Sequence, residues 1–259
     1  MKLFDSHCHL QDERILGECA DVVNRAISSG IAGIMCCGTQ IEDWLRVEKL
    51  TKKHSVIYGS YGIHPWYAQQ ASEQGYEKLE DLLSADSRAG LGEIGLDYTV
   101  TTDRYKQLEV LSRQITIAEK YERTISVHCV KAWGDLISLF RKKGGVKTRG
   151  IIHSFSGSAE VASELVELGF FISFSGSICN LRNKKTPNSL KAVKWDRILL
   201  ETDSPDLLPV GVLNGPNEPA NLVFIAQRVA SILEAEVDEV ASSTYQNALK
   251  AFNIIDFMK

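Results

Sequence analysis

Eight short apolar runs recur along this 259-residue chain, and they constrain its fold more than any other feature. They are "KLFDSH", "IAGIMCCG", "SVIYGSYGIHP", "RAGLGEIGLD", "TISVHC", "RGIIHSF", "GFFISFSG" and "RILLETD". Each has the length of one strand, is rich in β-branched or aromatic residues, and is apolar almost throughout rather than in strict alternation. Strands buried on both faces read this way. Between them lie amphipathic stretches of helical period, among them "CADVVNRAISSG", "EDWLRVEKLTKK", "YEKLEDLLSA", "AWGDLISLFRKK" and "SAEVASELVELG". In "DRYKQLEVLSRQITIAEKY", Leu108, Leu111, Ile115 and Ala118 recur at spacings of three and four, which marks one face of a helix. Several of these stretches stop at a glycine, as helix C-termini commonly do. Two more helical stretches follow the eighth run. The pattern predicts an α/β protein, a single closed (β/α)8 barrel of the TIM type over residues 1–259 with extra C-terminal helices. An open doubly wound sheet is the alternative.

Composition narrows the function classes. With 44% hydrophobic and 24% charged residues, the chain is ordinary for a soluble globular protein. A formal net charge of −4 gives no broad attraction for a polyanion, so a nucleic-acid contact would need a local cluster of cations. The six cysteines are scattered, form no C-x-x-C pair and follow no apolar leader, which predicts reduced thiols in a cytoplasmic protein. Adjacent Cys36 and Cys37 read as small apolar residues of a buried strand. No apolar run reaches the roughly 18 residues of a transmembrane helix, so no membrane association is expected.

The titratable residues fall at strand ends. His7 and His9 follow the first run, His64 the third, Glu93 the fourth, His128 the fifth, His153 the sixth and Asp203 the eighth. Barrel active sites are built on the face where strands end. His7 and His9, two apart on an extended strand, would point to one side, with Cys8 between them facing the helical shell. Imidazole nitrogens with carboxylate oxygens suit Zn²⁺, Mn²⁺ or Fe²⁺, and Mg²⁺ where more of the shell is water. One catalytic metal typically takes three protein ligands, so four histidines and two carboxylates make two ions the economical reading. Glu93 would bridge them, with His7, His9 and Asp203 completing one ion and His128 with His153 the other. A water between the ions would be the nucleophile and Asp203 its proton acceptor, so Glu93 and Asp203 are the expected catalytic residues. His54 precedes a strand at the opposite face and reads as a surface residue.

These residues carry a family resemblance. "DSHCHL", "GIHPWYA", "GEIGLDY", "SVHC", "HSFSGS", "ISFSGSI", "LLETDSP" and "NEPANL" resemble, in order, the signature blocks of the TatD family of metal-dependent hydrolases, within the amidohydrolase-like barrels. The resemblance implies two divalent metal cations (Mg²⁺, Mn²⁺ or Zn²⁺) and phosphodiester hydrolysis of the 3′-to-5′ exonuclease or deoxyribonuclease kind. It maps family metal ligands onto His7, His9, Glu93, His128, His153 and Asp203, the set already reached from the strand ends. It also suggests His64 as a substrate contact.

One departure stands out. Many members read His-Ser-Arg-Asp-Ala after the fifth strand, and this chain reads "HCVKAW", with Val130 in place of the arginine. Lys131 is the nearest cation and is taken as a substrate-binding residue, although lysine offers a point charge rather than a planar fork. Arg182, Lys184 and Lys185 are further candidate phosphate contacts. Trp66, Tyr67 and Trp133 are candidates for stacking on a base. The expected function is therefore a deoxyribonuclease acting on DNA ends or single strands. A metal-dependent deacylase or amidohydrolase, for example on aminoacyl-tRNA, is the alternative, and a catalytically idle scaffold the third reading.

Overall fold

Each of the eight apolar runs forms a strand: β1 (Leu3–Cys8), β2 (Ile31–Cys37), β3 (Ile57–Tyr61), β4 (Gly90–Asp97), β5 (Thr124–Val130), β6 (Arg149–Ile152), β7 (Phe170–Phe174) and β8 (Ile198–Leu200). The computed structural model describes residues 1–212 and 215–254. All strands pair in parallel with their sequence neighbours, in the order β1 to β8. The helices are α1 (Glu13–Leu16), α2 (Cys19–Ser28), α3 (Trp44–Lys53), α4 (Glu73–Ala85), α5 (Arg104–Tyr121), α6 (Trp133–Lys143), α7 (Ala159–Glu167), α8 (Lys185–Ala192), α9 (Leu222–Leu233) and α10 (Val237–Phe252). Among the described residues no helix is long and apolar enough to cross a membrane.

Two helices were not visible in the sequence. α1 is a single turn, started by the Asp12 carboxylate accepting from the Arg14 backbone N–H. α8 follows β7 in the stretch of candidate phosphate contacts, so Lys185 opens a helix, and Arg182, Lys184 and Lys185 are exposed on it or just before it. Between β8 and α9, Leu213 and Asn214 lie outside the described residues.

The barrel has two unlike ends. At one, α10 sets Tyr245, Leu249 and Phe252 against Phe4, Met35, Ile151, Phe171 and Leu199, residues from five different strands. Only the lumen brings five strands to one cluster, so α10 stoppers the barrel. Phe252 stacks on Phe4 with centroids 5.5 Å apart, and the Thr124 hydroxyl donates to the carbonyl of Ala251 at 2.7 Å. Removing a buried phenyl such as Phe252 would cost about 3 kcal/mol or more. Small polar residues, Ser6, Ser60, Ser126 and Ser173, are buried on the strands toward the other end.

The ring closes between β8 and β1 by a seam of specific bonds. Asp203 N–H donates to the His7 carbonyl at 3.0 Å, and His9 N–H to the Ser204 carbonyl at 2.7 Å. Below them the fully buried Asp5 carboxyl accepts from Thr202 N–H at 2.9 Å and from the Thr202 hydroxyl at 2.5 Å. The Ser6 hydroxyl donates to the Leu200 carbonyl at 2.9 Å and lies 2.8 Å from the Ser173 hydroxyl. Strand alternation alone does not describe β1. Asp5 pairs with Ile34 but Cys8 with Cys36, three steps against two, and the extra residue is a bulge. It lets Ser6 reach Ser173 across β8 through the lumen while the next side chain, His7, also turns inward to Ser126. Cys8 faces the helical shell as expected, packed in the core that includes Cys19 of α2.

Candidate metal centre

Glu93 lies at the centre of the polar end, on β4 and 3% exposed. Its Oε2 is 3.3 Å from Nε2 of His7 and 3.5 Å from Nε2 of His9, and Oδ1 of Asp203 is 3.5 Å from the same His9 nitrogen. Its Oε1 is 2.8 Å from Nε2 of His153, 2.9 Å from Nδ1 of His128 and 3.2 Å from Nε2 of His64. Each carboxylate oxygen thus faces its own donors, and His153 stands near both sets, since its ring stacks on His7 with centroids 4.0 Å apart and also groups with His7 and Asp203. The tight approach of β4 to β5 helps set this: Gly95, at φ +147°, leaves no room for a side chain, since a Cβ there would fall 1.9 Å from the His128 carbonyl oxygen.

The outward nitrogens decide which lone pairs face inward. His9 Nδ1 donates to the Cys37 carbonyl at 2.8 Å, and His7 Nδ1 lies 3.0 Å from the Ser126 hydroxyl. His128 Nε2 lies 3.4 Å from Oδ2 of Asp97, and His153 Nδ1 3.4 Å from Oε1 of Glu201. Each partner is a carbonyl, a carboxylate or a hydroxyl able to accept. In the neutral rings of His7, His9 and His128 the proton therefore sits on the outer nitrogen and the lone pair on the inner one, the arrangement of a metal-ligating imidazole, while the buried outer nitrogen of His153 has only the nearby Glu201 charge and no hydrogen bond. The inner nitrogens face each other, His7 Nε2 to His9 Nε2 at 3.3 Å and His128 Nδ1 to His153 Nε2 at 3.1 Å. Converging lone pairs repel unless a cation stands among them, so the donor set fits divalent metal.

His64 is wired the opposite way. Its Nδ1 accepts the backbone N–H of Trp66 at 3.2 Å, which caps the 3₁₀ turn Pro65–Gln70. With that lone pair in use, the neutral ring carries its proton on Nε2, facing Glu93 as a donor. His64 lies close enough to Glu93 and His128 to group with them, but the bond from Trp66 leaves it a hydrogen-bond donor in the cleft rather than a fifth histidine ligand.

Electrostatics agree. Burial alone would raise the Glu93 carboxyl, but His153, His64 and His128 hold it well below the usual carboxylate range. Asp203 is likewise opposed by burial yet held down at about 2 by its hydrogen bond to His9 and by the charges of His153 and His7. Burial disfavours charge on His9, but Asp203 and Glu93 outweigh it and lift the imidazole to about 10. His128 and His153 are also raised against burial, His128 by Asp97 and Glu93 and His153 by Glu93 and Glu201. His7 is lowered by burial and by His153. His64 is pushed down to about 4, chiefly by burial. The cluster holds positive charge between two ionised carboxylates, in the place a cation would take, and cations and protons must compete there.

The centre opens into a cleft of about 580 Å³ whose lining includes His9, His64, Glu93, His128, His153 and Asp203. His7 lies beneath, fully buried. Trp66 and Tyr67 line the cleft. Trp133 does not, and packs on Phe155 instead. Nor do Arg182, Lys184, Lys185 or Lys131, which is exposed beyond the end of β5 with φ +53°. The cations on the cleft wall are Arg14 and Arg46, which sequence reasoning missed because nothing in α1 or the start of α3 marks them. Asp97 was also missed, although it sits four residues after Glu93 on the same strand. A second carboxylate at that spacing near a strand end was the available signal.

A family model described as TatD related DNase matches residues 4–253. This chain belongs to the TatD family. Among its TatD-family relatives, the uncharacterized metal-dependent hydrolase YabD of Bacillus subtilis is 31% identical over 253 residues, covering 97% of this chain and 99% of its own. The 3′-5′ ssDNA/RNA exonuclease TatD of Citrobacter koseri is 26% identical over 258 residues, 97% of this chain and 99% of its own. The crystal structure of YjjV, a TatD homologue from Escherichia coli, superposes with a TM-score of 0.92 at 26% identity, covering 98% of each chain. The TatD fold of eight parallel strands alternating with helices, and membership of a metal-dependent hydrolase family, are thereby shared.

Proposed function

We propose that this TatD-family hydrolase is a deoxyribonuclease that removes nucleotides from 3′ ends of DNA, using two divalent cations and water. The observation that carries the reading is the split of Glu93, whose Oε2 faces His7 and His9 while Oε1 faces His128 and His153. His7, His9, Asp203 and Glu93 Oε2 would hold one cation, and His128, His153 and Glu93 Oε1 the other. Bound there, the cations would supply Lewis-acid stabilisation of a phosphoryl group and acidify the attacking water. The exonuclease name of the Citrobacter relative supports nucleic acid as the substrate class.

The chain's own residues supply the rest. Asp203, ionised and bordering the cleft, accepts the proton of the attacking water. Its position is held by its N–H bond to the His7 carbonyl. His64, neutral with its proton on Nε2, donates a hydrogen bond to a non-bridging phosphoryl oxygen without taking charge from the centre. Ser126, Asp97 and the Cys37 carbonyl hold the imidazoles of His7, His128 and His9 in the required tautomers, and the Glu201 carboxylate stands 3.4 Å from the outer nitrogen of His153.

A second reading, a deacylase acting on an ester or amide, is favoured by one observation: with Val130 in the arginine's place and Lys131 outside the cleft lining, β5 supplies no cation to the cleft. The two separate in one assay. Protein loaded with Mg²⁺ or Mn²⁺ is expected to shorten 3′-ended single-stranded DNA. Hydrolysis of an ester or amide panel with no DNA cleavage would support the deacylase and overturn the nuclease.

A further inference from the structure

Trp66 is 55% exposed on the cleft wall, and an indole that open to water is usually free to turn. This one is pinned at several points. Its Nε1–H donates at 2.7 Å to Oδ2 of Asp97, itself only 2% exposed. Its backbone N–H is bound by His64, and the imidazole stands edge-on to the indole, centroids 5.1 Å apart at 89°. The Thr102 hydroxyl donates to its carbonyl at 3.3 Å. Pro65 immediately before it stiffens the turn. Once the polar edge is satisfied, what Trp66 offers the cleft is a fixed, planar, apolar face. Such a surface matches a flat π-system that asks for no hydrogen bonds from it, which is how single-stranded nucleic acids are held without sequence preference.

We infer that Trp66 is the base-stacking platform of this site, taking the nucleobase of the terminal or adjacent nucleotide while the phosphate lies over Glu93. This rests on the nuclease reading. Asp97 is its positioning residue, and more than a support. The same Oδ2 that holds the indole lies 3.4 Å from Nε2 of His128, while Oδ1 accepts from Thr99 N–H at 2.8 Å and from its hydroxyl at 2.5 Å. With Oδ1 anchored by Thr99, Oδ2 ties the substrate-facing ring to an imidazole of the centre. Because stacking tolerates every base, the platform selects flexible single strands over a duplex, whose terminal bases are already stacked.

The test is binding of a phosphorothioate single-stranded oligonucleotide, measured by fluorescence anisotropy, in two forms: one with its 3′-terminal bases intact, the other abasic at the last two positions. Trp66→Ala is expected to weaken the base-bearing form about tenfold, and Trp66→Phe to recover most of that. The abasic form should bind both variants and the wild type alike. In cleavage, KM should carry the Trp66→Ala effect more than kcat. Unchanged binding of the base-bearing form by Trp66→Ala, or equal weakening of both forms, would overturn the inference even if the wild type cleaves DNA. Failure of the wild type to bind or cleave DNA would remove the nuclease reading and this inference together.

Discussion

The backbone N–H of Trp66 donates to Nδ1 of His64 at 3.2 Å, and this bond separates His64 from the four other histidines around Glu93. It predicts different fates for two adjacent imidazoles. His64→Ala should keep the metal content of the wild type while lowering kcat by about a hundredfold, the scale of losing one donor to a reacting oxygen. His128→Ala should lose about one equivalent of metal. Metal analysis of the two purified variants after saturation with Mn²⁺ and gel filtration checks both. Loss of an equivalent from His64→Ala would mean the tautomer assignment is wrong.

Arg14 joins the loops that flank the barrel seam. Its guanidinium donates to both oxygens of Asp206, at 2.7 and 2.8 Å, and to both of Asp12, at 2.9 Å each. Asp206 N–H is bonded in turn to the Asp203 carbonyl at 2.9 Å. The Arg14 side chain is half exposed, so solvent screens these pairs and Arg14→Ala should cost only about 1 kcal/mol of stability or less. Its larger effect should be on Asp203, with kcat/KM falling roughly fivefold as that carboxylate loses its fixed place. A thermal melt beside steady-state kinetics distinguishes this from a purely structural role, which would lower the melting temperature and leave kcat/KM alone.

A pH-dependent stability is expected at the seam. Burial pushes the Asp5 carboxyl up to about 8, against the bonds from Thr202 that would lower it. Since the folded-state value lies above the unfolded one, the neutral acid contributes stability that is complete below about pH 4 and is lost as pH rises through about 8. Asparagine is a close mimic of that neutral acid, so Asp5→Asn should remove the dependence. In urea titrations of the EDTA-treated protein, the wild type should lose roughly 2 kcal/mol more than Asp5→Asn between pH 6 and pH 9. Parallel behaviour of the two proteins would show that Asp5 is ionised throughout.

The residues the sequence revealed and those it hid differ for physical reasons. All eight strands were legible because burial on both faces writes a continuous apolar run, as in "GFFISFSG" for Phe170–Phe174. The meeting of His7, His9, His64, Glu93, His128, His153 and Asp203 was legible because strand ends in a barrel converge on one face. The bulge in β1 was not, since it depends on the register against Ile34 and Cys36 rather than on any residue type. α8 was masked by its charges, and the lumen-plugging role of α10 by the fact that an amphipathic period does not say which surface the apolar face will meet. Arg14 and Arg46 reach the cleft from a one-turn helix and a helix start, where no periodicity operates. Lys131, three residues after His128, sits exposed at a left-handed backbone position outside the cleft lining, a placement that closeness in sequence does not specify.

Two cations joined by Glu93 would be magnetically coupled, and electron paramagnetic resonance of the Mn²⁺-loaded protein reads that coupling. The wild type should hold two Mn²⁺ per chain with a spin-coupled spectrum, and Glu93→Ala should show no coupling and at most one tightly held ion. A single ion per chain in the wild type, or a coupled pair that survives in Glu93→Ala, would contradict a two-ion centre joined by Glu93.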